Sequence, residues 1–484
     1  MELDTIVRAM SAAEIVGPAD PEVTDLAYDS RKVGPGTLFF CVPGLESDGH
    51  DFAGTAVEAG AVALVCERAL NLGVTEVRVD DARAAMAPAA AAFFDDPTDS
   101  MLIAGVTGTN GKTTTAFLLH EILEYSGRHS GLMGTVKQLV GGEEEDVVRT
   151  TGEAIDLQRT FRRMAEAGDE ACVFEVSSHA MVLHRCDSIH FDIAMFTNLT
   201  QDHLDFHEDM EDYFQAKRLL FAAGPEHSVV NIDDEYGQRL AAEFDTITYS
   251  AEGNAADYTA SEVRFDPSGA TFLVESEHGD LIVRTGLPGR FNVANALAAI
   301  AGAIALGVEP DDVVAALSEA DRVPGRFEPI DEGQEFSVLV DYAHTPDSVE
   351  NALRAARDLT EGRLIAVIGA GGDRDRAKRP LMGRAGAEAA DLTVVTSDNP
   401  RSEDPAAIIE DVLEGMTEDS NYVVEADRHA AIGFALGNAE PGDTVVIAGK
   451  GHEQGQEFED GRKIPFDDRD VAREHLRRLT GSAA

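Results

Sequence analysis

The clearest pattern of hydrophobic and polar positions in the chain lies between residues 101 and 127. An apolar run from 101 to 106 predicts a buried parallel strand. From Phe117 to Leu123 apolar residues recur at helical spacing, and Gly127 stands where a helix would end. The pattern therefore predicts a strand, a polar turn and a helix in succession.

The turn between this strand and this helix has the composition of a phosphate-binding loop. It comprises Gly108, Thr109, Asn110, Gly111, Lys112, Thr113 and Thr114. Glycines let backbone N–H groups approach phosphates, and the helix N-terminus adds partial positive charge. Lys112 would reach the outer phosphates of a nucleoside triphosphate, and the Thr113 hydroxyl would bind Mg²⁺. The common motif has glycine where this chain has Val106, so a chance glycine-rich turn is the alternative.

Similar apolar runs recur along the chain, and each ends in a polar or glycine-rich stretch. Four of them lie at 337–340, 364–368, 392–396 and 444–448. Parallel strands with functional loops at their carboxyl ends are typical of doubly wound sheets. Because 484 residues are too many for one core, we predict an α/β protein of three domains at 1–98, 99–324 and 325–484. The central domain is expected to be a P-loop-type parallel sheet and the last a Rossmann-like doubly wound fold.

The net charge is −50, from 89 acidic and 39 basic residues. Such a field repels nucleic acid and anionic membranes, so we expect neither as a partner. It also repels an anionic substrate, so a phosphate site needs local Arg, Lys or Mg²⁺. An acidic partner-binding face would explain the charge, but the acids are spread along the whole chain, which favours a surface adapted to high salt.

The remaining composition indicates a cytoplasmic protein, and we expect a monomer. Apolar tracts such as residues 87–94 are far shorter than a membrane span, and the first ten residues include acids rather than a basic-apolar signal. Cys41, Cys66, Cys172 and Cys186 show no paired spacing. They are expected to be reduced thiols in the core.

Two residues are candidates for metal chemistry. Glu175 lies at the end of the apolar run that begins at residue 171, and His203 follows the run at 191–196. Carboxylate and imidazole groups at the ends of parallel strands beside a nucleotide loop stand where Mg²⁺ ligands belong. A structural hydrogen bond is the alternative for His203. Lys217 lies in a helical stretch, and periodicity alone indicates a surface lysine.

Two amides stand close together farther along the chain. Asn292 and Asn295 are three residues apart on one face of an alanine-rich helix. Their side chains suit either a helix cap or a hydrogen bond to a base or ribose.

Taken together, the motifs resemble those of the Mur ligase family. They are T-G-T-N-G-K-T-T at 107–114, E-V-S-S-H at 175–179, T-N-L at 197–199, D-H-L-D at 202–205 and D-Y-A-H-T-P at 341–346. Members of this family are ATP-dependent amino-acid ligases of peptidoglycan synthesis. The resemblance covers essentially the whole chain. It implies that ATP phosphorylates a carboxylate of a UDP-sugar peptide and that an amine then attacks the acyl phosphate.

The resemblance also assigns residues to substrates and metal. It implies ATP contacts for the loop residues 108–114 and for Asn292, Asn295, Arg326 and Asp341. It assigns the UDP-sugar to Tyr28, Ser30, Leu45, Glu46, Ser47, Arg149, Thr150, Thr151, Ser177 and Arg185. It implies Mg²⁺ ligands at Thr113, Glu175, His203 and Lys217, the last as a carbamate, and a catalytic role for Lys112, Glu175, His203 and Lys217. Some relatives have Gln and Asn where this chain has Leu183 and Arg149, which concerns single sugar contacts only.

A further group of residues resembles that of the members adding a diamino acid as the third residue of the peptide. It comprises Arg374, Asp398, Asn399, Pro400, Arg401, Gly449 and Glu453. Arg401 suits meso-diaminopimelate, whose second carboxylate a guanidinium can bind through two charge-assisted hydrogen bonds. Arg374 would help to hold a carboxylate and Glu453 the distal ammonium. The expected substrates are therefore UDP-N-acetylmuramoyl-dipeptide and meso-diaminopimelate.

Three alternatives stay open. A ligase that adds L-lysine or another diamino acid is disfavoured by Arg401. A folylpolyglutamate-synthetase-like ligase would share the nucleotide loop but lack a UDP-binding N-terminal part. A P-loop switch or binding module would hydrolyse ATP without ligation, and the four loops predicted near the C-terminus argue against it.

Overall fold

The computed structural model describes residues 1–10, 13–17, 21–44, 47–147, 149–266 and 268–481. Its contacts divide the chain into two compact units. The first consists of Met1–Thr107, Gly127–Ala194 and Ala216–Glu226, and the second of Gly108–Ser126, Met195–Gln215 and His227–Ala484. The three-domain division at 98 and 324 stays a prediction.

Helices and strands alternate along much of the described chain. The α-helices are α1 Leu3–Val7, α2 Ala53–Ala59, α3 Ala82–Phe93, α4 Lys112–Tyr125, α5 Ala154–Ala167, α6 Ser178–Val182, α7 Met210–Ala222, α8 Glu235–Glu243, α9 Arg290–Ala305, α10 Pro310–Glu319, α11 Pro346–Asp358, α12 Lys378–Ala389, α13 Pro405–Leu413, α14 Arg428–Gly437 and α15 Asp468–Thr480. Short 3₁₀ helices lie at Ser30–Lys32, Gly49–Phe52, Pro97–Asp99 and Glu459–Gly461.

The strands fall into three groups along the chain. The first are β1 Glu14–Val16, β2 Asp25–Ala27, β3 Thr37–Phe40, β4 Ala61–Cys66 and β5 Thr75–Arg78. The second are β6 Leu102–Thr107, β7 Ser130–Met133, β8 Gln138–Val140, β9 Glu143–Glu145, β10 Ala171–Glu175, β11 Ile193–Phe196, β12 His227–Asn231, β13 Ile247–Ser250, β14 Tyr258–Asp266, β15 Gly269–Ser276 and β16 Leu281–Thr285. The third are β17 Glu328–Pro329, β18 Ser337–Asp341, β19 Leu364–Ile368, β20 Leu392–Val395, β21 Tyr422–Val424, β22 Thr444–Ala448, β23 Gly455–Glu457 and β24 Lys463–Pro465.

In the first unit, the first five strands form a sheet in the order β1-β5-β4-β3-β2, parallel except for β1. Leu38 and Phe40 face helices α1 and α3, whereas Phe39 and Cys41 face helix α2. Burial on both faces explains the continuous apolar runs of these strands. Elsewhere in this unit, β6, β10 and β7 pair in parallel, and β8 and β9 add an antiparallel hairpin.

In the second unit, β12, β13 and β14 pair in parallel, and β14, β15 and β16 are antiparallel. Farther along, six strands form a sheet in the order β17-β18-β22-β19-β20-β21. Helices α11, α12 and α13 cover one face of this sheet, and α14 and α15 cover the other. The four predicted runs are therefore the neighbouring parallel strands β18, β22, β19 and β20, and their carboxyl ends lie at one edge.

The α/β class predicted from the sequence is confirmed. Most predicted strands are present with ends that differ by one or two residues; β6, for example, covers 102–107 rather than 101–106. The sequence pattern did not predict the antiparallel pairs β8–β9 and β14–β16. The central region is therefore parallel in part, with antiparallel strands in both units.

All four cysteines are buried and unpaired, as predicted. Burial raises the pKa of Cys41 and Cys186 to about 12 and that of Cys66 to about 11. In the part of the chain that the structure describes, every helix is too short or too polar to cross a bilayer.

Candidate functional site

The predicted nucleotide loop precedes helix α4 in the second unit. Gly108 and Gly111 have φ angles of 146° and 88°, which glycine adopts most easily. A Cβ atom would lie 1.9 Å from Thr197 Oγ1 at Gly108 and 2.3 Å from Asn295 Oδ1 at Gly111. Conformation and space therefore both require glycine. Because α4 begins at Lys112, a helix N-terminus stands at this loop, as a phosphate site requires.

The T-N-L motif holds the nucleotide loop in shape. Asn198 accepts a hydrogen bond from Asn110 N at 2.9 Å and donates from Nδ2 to the Asn110 carbonyl oxygen at 3.0 Å. Thr197 Oγ1 donates to the same carbonyl at 2.6 Å, and Thr109 Oγ1 donates to Thr200 O at 3.1 Å. These bonds fix the loop from both sides of Asn110.

Two side chains at the end of the loop, Lys112 and Thr113, have close partners. Lys112 Nζ donates to the carbonyl oxygens of Gly108 and Thr109 at 3.0 and 2.9 Å. Thr113 Oγ1 accepts a hydrogen bond from Arg326 Nη2 at 3.0 Å. The structure thus brings several predicted ATP residues together, and the Thr113 oxygen already faces a positive charge.

Helix α9 carries both predicted amides. Asn295 Nδ2 donates to Asn292 Oδ1 at 3.2 Å, and Asn292 Nδ2 donates to Pro288 O at 2.8 Å. The N-cap residue of this helix is Gly289, so the helix-cap interpretation of the two amides is wrong. Of the two, Asn295 lies against the nucleotide loop through the close approach at Gly111.

Asp341 ends strand β18 and is buried. Its Oδ2 accepts a hydrogen bond from Phe327 N at 2.7 Å, and burial raises its pKa. Asp341 therefore fixes the backbone directly after Arg326, the residue that bonds Thr113.

His203 lies beside a buried carboxylate. Asp202 is 3.2 Å from Lys378 Nζ, 3.5 Å from His203 Nε2 and 3.8 Å from His344 Nε2. Burial alone would raise the pKa of Asp202, but His203 and Lys378 lower it below its ordinary value. Burial also lowers the pKa of His344. The role of His203 as a Mg²⁺ ligand stays a prediction.

The predicted amino-acid-binding residues meet around Lys450 in the second unit. Lys450 Nζ is 3.2 Å from Asp398 Oδ1, 2.7 Å from Asn399 Oδ1 and 3.0 Å from Glu453 Oε2. Asn399 Nδ2 donates to the same Glu453 oxygen at 2.8 Å. Burial alone would raise the pKa of Asp398, but Lys450 and Arg428 lower it. The loops after β20 and β22 thus form one charged cluster.

Arg401 joins two predicted motifs. Its φ is 52°, its Nη1 donates to Gly372 O at 2.7 Å, and its Nε donates to Glu457 Oε2 at 3.1 Å. A Cβ at Gly372 would lie 1.9 Å from Pro400 O. The loops after β19 and β20 therefore pack backbone to backbone, and the guanidinium of Arg401 bonds the first of these loops and strand β23.

Two other predicted residues of this group differ in position. A Cβ at Gly449 would lie 2.9 Å from Asp398 Oδ2, so this glycine makes room for the carboxylate. Arg374 is half exposed, and its Nη1 is 3.9 Å from Asp205 Oδ2.

A cavity of about 920 Å³ lies within the first unit, a size common for small-molecule sites. The predicted UDP-sugar residues at its wall are Tyr28, Ser30, Ser47, Arg149 and Thr150. Tyr28 OH donates to Asp156 Oδ2 at 2.6 Å, and burial raises the pKa of Tyr28. Leu45 and Glu46, also predicted here, lie outside the described residues.

Three arginines meet one carboxylate beside this cavity. Glu153, whose side chain is 5% exposed, has Oε1 2.7 Å from Arg149 and 2.9 Å from Arg185, and Oε2 2.8 Å from Arg83. Burial lowers the pKa of Arg185, and its Nη1 donates to Thr151 O at 3.2 Å. We name this group the Glu153 cluster; it carries a local surplus of positive charge.

Glu175 is buried and tied to the predicted sugar residues. Its carboxylate accepts hydrogen bonds from Thr135 N at 2.8 Å and from Thr135 Oγ1 at 3.1 Å. That hydroxyl is 3.0 Å from Thr150 Oγ1. Thr151 Oγ1 donates to Glu175 O at 2.8 Å and accepts from Ser177 N at 3.1 Å. Four predicted residues of the first unit are thus in one network.

Lys217 is 1% exposed on helix α7, so the surface position indicated by periodicity is wrong. Among the residues that the structure describes, no group of three or more His, Cys, Asp or Glu is arranged to hold a metal. The predicted Mg²⁺ donors include a threonine hydroxyl and a lysine carbamate, which are not of those types. The ligand assignments therefore stay predictions.

Family comparisons match three successive parts of the chain. Residues 22–102 match "Mur ligase family, catalytic domain", 106–303 "Mur ligase middle domain" and 325–451 "Mur ligase, glutamate ligase domain". The chain is also 47% identical to the UDP-N-acetylmuramoyl-L-alanyl-D-glutamate–2,6-diaminopimelate ligase of Geobacillus thermodenitrificans, over 98% of this chain and 99% of that protein. This chain belongs to the Mur ligase family.

This chain is also similar to other Mur ligases over nearly its whole length. The protein of the same name from Streptomyces coelicolor is 48% identical, over 97% of this chain and 96% of its own. A solved structure of a UDP-N-acetylmuramoyl-L-alanyl-D-glutamate–2,6-diaminopimelate ligase is 32% identical with a TM-score of 0.70, and the match covers 99% of both chains. The family resemblance inferred from the motifs is confirmed.

Sequence reasoning missed several residues at these Mur ligase sites. Lys450 lies inside the predicted loop at 449–453 but received no role of its own, and Glu153 contacts the predicted residues Arg149 and Arg185. A search for buried counter-charges near each motif would have found both roles. Lys32 and Arg83 line the cavity without a motif signal. Arg83 reaches Glu153 across 70 residues of sequence, which no local pattern indicates.

Proposed function

We propose that this Mur ligase adds meso-diaminopimelate to UDP-N-acetylmuramoyl-L-alanyl-D-glutamate and converts ATP to ADP and phosphate. Identities of 47% and 48% to ligases of that name, over nearly the whole chain, support the proposal. The observation that carries it is the cluster of Asn399, Glu453 and Lys450 in the same unit as Arg401. A carboxylate and a guanidinium suit an amino acid that has an ammonium and a carboxylate at its far end.

The reaction proceeds through an acyl phosphate. The γ-phosphoryl group of ATP is transferred to the side-chain carboxylate of D-glutamate, and ADP leaves. The amine of diaminopimelate attacks the acyl carbon and loses a proton, and the tetrahedral intermediate expels phosphate to give the amide. Such chemistry requires positioning and neutralisation of charge more than a nucleophile from the protein, which is the role of Lys112.

Mg²⁺ suits the proposed donors, because Thr113 and Glu175 supply the hard oxygen atoms that this ion prefers. Thr113 Oγ1 already accepts a hydrogen bond from a guanidinium, so its lone pair faces a cation. When bound, Mg²⁺ would neutralise phosphate charge. The proposed ligands are Thr113, Glu175, His203 and Lys217 as a carbamate.

The partners, the cellular location and the oligomeric state of the enzyme are also part of the proposal. The net charge of −50 disfavours nucleic acid and anionic membranes as partners. We place the enzyme in the cytoplasm as a monomer, where the soluble substrates are present.

The test is a substrate screen with the purified protein. ATP and UDP-N-acetylmuramoyl-L-alanyl-D-glutamate are supplied with meso-diaminopimelate, L-lysine or L-ornithine, and phosphate release and product mass are measured. Phosphate release should require both the UDP-sugar dipeptide and meso-diaminopimelate. Equal use of L-lysine would overturn the substrate assignment, and ATP hydrolysis independent of both substrates would support a nucleotide switch instead.

A further inference from the structure

Glu453 is bonded to the protein through one of its two oxygens, and its side chain is partly exposed. Its Oε2 accepts hydrogen bonds from Lys450 Nζ at 3.0 Å and Asn399 Nδ2 at 2.8 Å. Its Oε1 has a long contact of 3.5 Å from Tyr342 OH. The Glu453 side chain is 29% exposed, whereas that of Lys450 is 0% exposed. A ligand can therefore reach the carboxylate but not the ammonium behind it.

Lys450 also sets the orientation of the Asn399 amide. Asn399 Oδ1 accepts hydrogen bonds from Lys450 Nζ at 2.7 Å and from Glu457 N at 3.0 Å. This fixes the oxygen toward the lysine and the amide nitrogen toward Glu453. Two predicted substrate-binding groups thus depend on one buried ammonium.

The charges around the lysine leave one negative charge at the accessible group. Asp398 is 7% exposed and 3.2 Å from Lys450 Nζ, so this pair is neutral. Arg428, which also favours the ionised form of Asp398, is itself paired with fully buried Asp468 at 2.6 Å. His344 faces Asp398, and Tyr342 faces Glu453. The charge of Glu453 therefore remains for an incoming ammonium.

We propose that Lys450 is a positioning residue that holds the Glu453 carboxylate turned toward the distal ammonium of the diamino acid. This inference rests on the proposed function. Without Lys450, the two carboxylates of Asp398 and Glu453 would share a site with little counter-charge. The two negative charges would repel each other, and Glu453 and Asn399 would each lose the hydrogen bond that fixes their orientation.

The test compares Lys450→Met with the wild type. Methionine keeps most of the side-chain volume and removes the charge. At pH 7 the KM for meso-diaminopimelate should rise by at least about 20-fold, while the KM for ATP stays within about twofold.

Two further variants separate positioning from stability. Lys378→Met removes another buried lysine–aspartate pair (Lys378 Nζ to Asp202 Oδ1, 3.2 Å) outside this cluster, and it should leave the KM for the diamino acid within about twofold. If Lys450→Met does not fold, Asp398→Asn/Lys450→Met removes both members of the buried pair. The double variant should fold, because no unpaired charge is left buried, and it should keep the raised KM, because Glu453 still lacks the hydrogen bond from Lys450.

An unchanged KM for meso-diaminopimelate in the folded Lys450 variants would overturn the inference, and so would equal increases in the KM values for ATP and the diamino acid. If the wild type itself does not ligate meso-diaminopimelate, the proposed function fails instead. The wild-type control therefore distinguishes the two failures.

Discussion

The Glu153 cluster and the group around Lys450 have opposite arrangements of charge. In the first unit, one carboxylate that is 5% exposed faces three guanidinium groups. In the second unit, one ammonium that is 0% exposed faces two carboxylates. Each cluster thus has a buried central charge and a surplus of the opposite sign around it.

The difference shows how a strongly acidic chain can form one site for an anionic substrate and another for a cationic one. The net charge of −50 repels anions at long range. A buried glutamate can still hold three arginines in place for an anionic substrate, and a buried lysine can hold carboxylates for a cationic one. In each site, the buried central residue gathers side chains of the opposite charge. The sign of the charge that a substrate meets therefore depends on this residue and not on the net charge of the protein surface.

Among the changes that test this comparison, removal of Glu153 should cause the largest loss of free energy. Glu153→Ala leaves three guanidinium groups without their shared carboxylate, so we expect the first unit to lose about 3–5 kcal/mol of unfolding free energy. Urea unfolding measures this loss. The matched control is Glu166→Ala on helix α5, which Glu153 directly precedes. The ion pair of Glu166 with Arg162 is exposed, so this change should cost less than about 1 kcal/mol. Equal losses in both variants would refute the central role of Glu153.

Arg401→Ala should have the next largest effect, in the second unit. Loss of the guanidinium should weaken binding of meso-diaminopimelate by about 2–4 kcal/mol and leave ATP binding unchanged, because ATP is assigned to other residues. The KM values for both substrates measure this. We also expect the preference for meso-diaminopimelate over L-lysine to disappear. If that preference persists, Arg401 does not select the amino acid.

Tyr28→Phe tests the first-unit cavity with a smaller change. The variant loses one hydrogen bond to the Asp156 carboxylate, and we expect a loss of about 1–2 kcal/mol in unfolding free energy. The KM for the UDP-sugar dipeptide should rise, while that for meso-diaminopimelate should not. A rise in only the second KM would contradict the assignment of this cavity.

The smallest expected effect is that of salt on the Glu153 cluster. Raising NaCl from about 0.1 to 1 M shortens the Debye length from about 10 to 3 Å, but buried pairs are screened little. The stability lost in Glu153→Ala should therefore differ by less than about 0.5 kcal/mol between the two conditions. Urea unfolding at each salt concentration measures it, and a loss that falls by more than half would mean that solvent reaches the cluster.

The nucleotide loop could be predicted because its determinants are contiguous. Gly108, Gly111, Lys112 and Thr113 lie within six residues, and glycine conformation and helix position follow from local rules. Arg83 and Glu153 are 70 residues apart, so their contact depends on tertiary packing. The burial of Lys217 could not be predicted for the same reason, because helical spacing does not show what packs against each face of the helix.

The sequence of the antiparallel strands contains an alternating pattern that the search for continuous apolar runs did not detect. In β14, Tyr258–Asp266, buried and more exposed positions alternate, as expected for a half-exposed antiparallel strand. The predicted strands were instead continuous apolar runs buried on two faces. Period-two patterns without long apolar runs therefore require their own search.

The four buried cysteines make selective chemical labelling practical. Thiolates react with maleimides, and burial with raised pKa values keeps these thiols protonated and inaccessible. A cysteine introduced at Glu166, whose side chain is 60% exposed, would react far faster than the native ones. A single fluorophore could then be attached without first deleting any natural cysteine.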